Sequence, residues 1–299
     1  MKLILCQPAI KRFEWELEVC LTNLRSIGFD LRDVVLLFTR HDDFIPQRLT
    51  DKYGVEVHTY NDLRSDQSYI PSVKPWLWWQ YLAEDKSREN EEYFYFDSDV
   101  IFRKRPDFRK LKARPDRWLC SDTNGYLNLN YIKRCKNGEQ ILTRMADIVG
   151  VTLASLETIN HNSGGAQWII GHPTAEYWHK VYADSNRLWH YFQIVDSDIQ
   201  KWTAEMWAQL WNMMYFNIGP VISEELDFCW ATDPVKRWKE TKIMHNAGVT
   251  GDMHDLFFKG KYTDRVPFGD DLSFVDKLKC SYKYVQAIKA VKGWQKAIQ

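Results

Sequence analysis

The chain has 299 residues, is 45% hydrophobic, and carries 40 Lys plus Arg against 40 Asp plus Glu. That is enough apolar material for one elaborated domain or two small ones, and the charge balance excludes recognition of nucleic acid or a membrane surface by overall charge alone. Six scattered cysteines with no Cys-x-x-Cys pair exclude a disulfide frame and a clustered zinc site, and read as reduced thiols of a cytoplasmic protein.

The N-terminal half alternates strand and helix. "LILCQPA" (3–9) is a short apolar strand that follows almost directly on Met1, as expected of a complete soluble protein without a signal peptide. The spacing of Phe13, Leu17, Val19, Leu21 and Leu24 predicts a helix over 12–29, stopped by Gly28. "DVVLLFT" (33–39) is a second strand, 44–54 a short helix closed by Gly54, and "VEVHTY" (55–60) a third strand. "SVKPWLWWQYLAED" (72–85) is a helix with Pro75 near its start, where a missing N–H costs little. "EEYFYFDSDVIF" (91–102) then reads as a buried strand carrying Asp97 and Asp99 near its carboxyl end.

The second half is less regular. A strand and loop cover 117–124, a helix 139–150, and a Gly-bearing turn and strand 162–171. A long helical region follows from about 173 to 215, with a break near 196–203. A late strand covers 241–249, and a Lys-rich helical tail ends the chain. The longest apolar runs are strand-length, so no membrane span is expected. Repeated strand–helix–strand units predict an α/β fold with a mostly parallel twisted sheet flanked by helices. The chain is expected to form one unit, 1–299. Its N-terminal part to about 120 would bind nucleotide, and 121–299, including the tail, would supply the acceptor side. In such sheets ligands bind beyond the carboxyl ends of the strands, which is where the acidic pair falls.

Two buried carboxylates need a compensating partner: a metal ion, a phosphoenzyme intermediate or a salt bridge. On a strand, residues i and i+2 share a face, so Asp97 and Asp99 would face one ion while Ser98 turns away. Carboxylates suit Mg2+ or Mn2+, and such an ion would bind a diphosphate and neutralise its charge as it leaves. Haloacid-dehalogenase-like phosphatases also place Asp-x-Asp after an apolar strand, and "GDDLSFVD" (269–276) offers a second acidic cluster. That reading fails on three counts. Three strands precede the pair, Ile101 stands where Thr or Val is wanted, and "YTDRVP" rather than an apolar strand leads to the second cluster.

The motifs "YFYFDSDVIF", "NSGGAQWII", "EMWAQLW" and "IMHNAGV", in this order, resemble the GT-A-fold glycosyltransferases, in particular the glycogenin-like enzymes and the plant peptidyl-serine galactosyltransferases. The resemblance spans about 160 residues and implies a UDP-sugar donor, a divalent cation (Mn2+ or Mg2+) and transfer with retention. It implies that Asp97 and Asp99 hold metal and donor, Asp99 more directly, with His245 as third protein ligand. Lys259 or Lys261 would meet the diphosphate; "KGK" replaces the Lys-Pro-Trp of the family, which leaves the choice between them open. In "NSGG", Asn162 and Ser163 would offer hydrogen bonds to sugar hydroxyls, and Gly164 and Gly165 close backbone approach. Gln7 and Pro8 fall where base and ribose lie, and Lys74 and Asp122 at donor-contacting positions. Glu205, in "EMWAQLW", is a catalytic base, an acceptor-orienting group or a helix N-terminal acid.

The stretch 103–117 holds eight basic residues against two acidic. It reads either as solvated surface or as a grip for a polyanion, which would fit a hydroxymethylated DNA base, as in phage, as the acceptor. A bacterial glycan, a protein side chain or a small molecule remain alternatives, as does a non-catalytic sugar- or nucleic-acid-binding module on the same fold. The 14 Trp residues are core or sugar-binding faces.

Overall fold

The computed structural model describes residues 1–298. In chain order it comprises β1 (Lys2–Pro8), α1 (Lys11–Ser26), β2 (Val34–Thr39), α2 (Phe44–Tyr53), β3 (Glu56–Tyr60), α3 (Val73–Glu84), β4 (Glu92–Tyr95), β5 (Val100–Phe102) and β6 (Arg117–Asp122). There follow α4 (Asn124–Leu127), α5 (Leu129–Arg134), α6 (Gly138–Val149), α7 (Leu153–Ile159), β7 (Gly164–Gly171), α8 (Ala175–Ile194) and α9 (Ala204–Tyr215). The chain closes with β8 (Gly219–Ile222), β9 (Phe228–Trp230), α10 (Val235–Glu240), β10 (Ile243–His245) and α11 (Ser281–Ile298).

Seven strands form the main sheet in the order β3-β2-β1-β4-β7-β6-β8. The first four run parallel, β7 is antiparallel to both neighbours, and β6 and β8 are parallel. The mostly parallel α/β expectation therefore holds. The reversed strand is contributed by the second half of the chain and lies inside the sheet, between β4 and β6. A smaller sheet, β5-β10-β9, has its own hydrogen-bond ladders and shares an apolar cluster with it through Val100, Phe102, Phe228 and Ile243.

The unbroken apolar run of β1 follows from burial on both faces. Leu3 and Leu5 join Leu17, Leu21 and Leu24 of α1 on one side, while Ile4 and Cys6 join Leu77 and Trp78 of α3 on the other. The reverse edge of α1, Trp15 and Val19, packs with Ile101, Met244 and Tyr284, so this helix is wedged between the two sheets and α11. Trp78 and Trp178 stack at 4.9 Å between α3 and α8, and most Trp side chains belong to the core.

The expected strand over 91–102 is interrupted. It leaves the main sheet at Phe96, turns through Ser98–Asp99, and enters the small sheet as β5. The acidic pair lies in this crossing, where its carboxylates need not be matched by a sheet face. The expected helix break near 196–203 separates α8 from α9, and the late strand shortens to Ile243–His245. Among the described residues no helix is long and apolar enough to cross a membrane.

Candidate active site

Register builds the acidic site. β10 is antiparallel to β5 with His245 opposite Val100, and Asn246 N–H donates to the Asp99 carbonyl at 3.0 Å. This places the imidazole of His245 beside the crossing. His245 Nε2 lies 3.1 Å from Asp99 Oδ1 and 3.7 Å from Asp97 Oδ2. One ligand atom from each of these residues falls within 4.8 Å of the others. Two carboxylate oxygens and one imidazole nitrogen form a donor set that fits Mg2+ or Mn2+. Trp230 stacks on the His245 ring at 5.7 Å and fixes its plane.

Ser98 does turn away, and it turns toward a residue that the sequence reading passed over. Its Oγ donates to Glu16 Oε2 at 2.7 Å, and Arg12 Nε donates to Glu16 Oε1 at 3.0 Å. Glu16 is 1% exposed. Burial raises its pKa, an effect that Lys259 and Arg12 oppose. Its signal in the sequence is an acid one residue after Trp15, with apolar Val19 and Cys20 at i+3 and i+4 and Arg12 at i−4.

Two lysines complete the electrostatics. Lys259 Nζ binds Asp99 Oδ2. Burial opposes the charge on Asp99, but Lys259 and His245 outweigh it and hold the carboxyl far below its usual range. Lys74, in the first turn of α3, lies 3.1 Å from Glu205 and 3.5 Å from Asp97. Burial disfavours its ammonium, yet the two carboxylates keep its pKa well above normal. Glu205, the second residue of α9, is 2% exposed, and burial raises its pKa against the pull of Lys74. The Tyr69 hydroxyl accepts from Glu205 N–H at 2.8 Å and donates to the Trp202 carbonyl at 2.7 Å, tying the start of α9 to the segment before α3.

Two cavities meet here and share Lys74, Asp97, Trp202, Glu205 and Lys259 as walls. One, of about 680 Å³, runs under Tyr95, Tyr126, Trp168 and Trp230. The other, of about 880 Å³, runs past Cys6, Pro8, Arg12, Phe13 and Ile70.

The structure thus gathers Asp97, Asp99, His245, Lys74, Glu205, Lys259 and Pro8 at one locus, and Gly165 joins them on the wall of the first cavity. Other expected residues lie elsewhere. Gln7 is turned by strand alternation to the opposite face from Cys6 and Pro8, where its amide donates to the Leu37 carbonyl at 3.2 Å. Asp122 is consumed by the turn into α4, accepting from Asn124 N–H at 2.9 Å. Asn162 accepts from Ile222 N–H, Ser163 donates to the Asn160 carbonyl, and Gly164 packs where a Cβ would overlap Cys120. These three hold the strand end in place and do not line the cavities. Lys261 is exposed, which leaves Lys259 as the lysine at the acids. The basic stretch 103–117 begins at the far end of β5, where Phe102 pairs with Ile243, not at the His245 end. Several of its charges are matched locally: Arg109 by Asp107, Lys110 by Glu225 and Arg114 by Asp116. Arg105 packs over Phe29 and Phe108.

No protein-family profile matches the chain, and no characterised protein matches it by sequence. Solved structures do. The bifunctional glycosyltransferase WbbM, in its apo form, superposes with a TM-score of 0.52 at 7% identity, over 97% of this chain and 49% of that one. The present chain therefore spans about half the length of WbbM. The galactosyltransferase LgtC, in complex with donor and acceptor sugar analogues, superposes with a TM-score of 0.51 at 11% identity, over 99% of each chain. The chain has the GT-A glycosyltransferase fold.

Proposed function

We propose that the protein is a metal-dependent glycosyltransferase that moves a sugar from a UDP-sugar to a hydroxyl acceptor with retention. The observation that carries this reading is the convergence of Asp97, Asp99 and His245 with Lys259 and Lys74 where two cavities meet, on a fold shared with glycosyltransferases. Asp97, Asp99 and His245 would hold Mn2+ or Mg2+, which when bound neutralises the charge building on a departing diphosphate.

The chain's own residues have distinct parts. The second cavity, with Pro8, Arg12 and Phe13, takes the nucleotide. Lys259, now paired with Asp99, would follow the diphosphate, and Lys74 would hold the carboxylates of Asp97 and Glu205 near the transferred sugar. In the reaction, the acceptor oxygen bonds to the anomeric carbon as the bond to the diphosphate oxygen breaks. The acceptor proton passes to that oxygen. Glu205 shares Lys74 with Asp97, and this ion pair fixes the position of its carboxylate. Glu205 is then an orienting group.

A hydroxymethylated DNA base as acceptor gains no support from the position of the 103–117 stretch. The test is UDP release from a set of UDP-sugars with Mn2+. Release that stops with EDTA and returns with added Mn2+ is expected; no release from any donor contradicts the reading.

A further inference from the structure

We infer that the acceptor is a carbohydrate, held in the first cavity with a sugar ring laid on Trp202. This rests on the transferase reading and adds the class of acceptor to it.

The walls of the cavity carry the inference. Trp202 is 55% exposed, an unusual state for an indole beside a cavity, and it stands where both cavities open. Its backbone is fixed, since the Tyr69 hydroxyl that binds its carbonyl also holds Glu205 N–H. A ring resting on Trp202 is therefore registered against Glu205. Tyr126 and Trp230 supply further aromatic surface, Trp230 being held by its stack on His245.

Among these rings lie two buried polar groups. Gln209 and Tyr95 line the cavity, both residues are 3% exposed, and neither Gln209 Nε2 nor Tyr95 Oη has a hydrogen-bond partner in the protein. Buried donors of this kind are costly unless a ligand meets them. Apolar ring faces with hydroxyl-seeking groups at their edges match a pyranose, which has C–H faces and an equator of hydroxyls. A DNA acceptor would need free cations at the rim for its phosphates. The cations lining this cavity, Lys74 and Lys259, are taken by the acids and by the donor's diphosphate.

The experiment measures UDP release from UDP-glucose, UDP-galactose and UDP-N-acetylglucosamine with Mn2+, alone and with added acceptors. The acceptors are a panel of mono- and disaccharides, an oligonucleotide containing 5-hydroxymethylcytosine, and a serine peptide, with products identified by mass. A saccharide is expected to accelerate release and to gain one sugar. Trp202→Ala should raise the half-saturating concentration of that saccharide about tenfold, with a smaller effect on the rate at saturation, whereas Trp202→Phe stays within about threefold of wild type. Sugar transferred to the oligonucleotide or peptide instead, release that no saccharide accelerates, or an unchanged half-saturating concentration in Trp202→Ala overturns the inference while leaving the transferase standing. Absence of UDP release under every condition removes the transferase reading, and this inference with it.

Discussion

Ser98 hydrogen-bonds to Glu16 at 2.7 Å, so the residue between the two aspartates is anchored to a carboxylate buried in α1. That anchor turns Ser98 into the protein and leaves Asp97 and Asp99 facing His245 on the other side. It does the work that strand alternation was expected to do, in a segment that is no longer a strand.

Replacing Glu16 by Ala leaves Ser98 Oγ and the Arg12 guanidinium without their acceptor, at a cost of about 2 kcal/mol. Glu16→Gln retains an acceptor for Ser98, and because burial already disfavours the carboxylate, its cost should stay below about 1 kcal/mol. Urea denaturation of the two variants measures the difference, and equal losses would contradict the anchoring role.

Lys259 is the internal counter-charge of Asp99. Lys259→Met leaves that buried carboxylate with His245 alone and should destabilise the metal-free protein by about 3 kcal/mol. Added Mn2+ supplies the missing charge, so the variant should gain more thermal stability from Mn2+ than wild type does. A smaller gain would mean that Lys259 takes part in cation binding in another way.

Glu205→Gln keeps the shape of the side chain at the start of α9 and removes its charge beside Lys74. Turnover should fall about a hundredfold while the donor's half-saturating concentration changes by less than about threefold. Steady-state kinetics decide the point, and normal turnover would take Glu205 out of the site.

Asp62 and Arg64 form a buried pair at 2.9 Å, and Arg64 also donates to the Tyr69 carbonyl and Ser72 Oγ just before α3. Burial raises the Asp62 pKa, but the bonds from Arg64 outweigh it and the net shift is downward. A carboxyl lowered in the folded state contributes stability above its unfolded pKa of about 3.9 and loses it as pH falls toward the folded value. Wild type should therefore exceed Asp62→Asn in stability at pH 7, with the gap narrowing below about pH 4. Urea midpoints at the two pH values give the comparison.

The parts of the site legible in the sequence were those whose neighbours are apolar. Asp97, Asp99 and His245 stand out because carboxylates and an imidazole are anomalous beside "YFYF", "VIF" and "IM", and Lys74 is marked by Pro75 at a helix start. Asp122, Asn162 and Ser163 look equally suitable in sequence, but short polar side chains near turns are readily taken by adjacent backbone groups. Gln7, expected at the donor, is turned away by one step of strand alternation, which a sequence alone does not orient. The alternating first half was readable because β1 and β2 are seven and six residues long and buried on both faces. Strands of three or four residues, such as β8 and β9, and the antiparallel insertion of β7 between β4 and β6 depend on distant pairings that leave little local trace.

The most direct test of the central claim, that Asp97, Asp99 and His245 jointly hold a cation that binds a nucleoside diphosphate, is thermal unfolding with Mn2+ and UDP added separately and together. At about a hundredfold excess over Kd, the combination should raise the Tm of wild type by about 5 °C. Asp99→Asn and His245→Ala should lose most of that increase. An equal increase in both variants, or none in wild type, would contradict the claim.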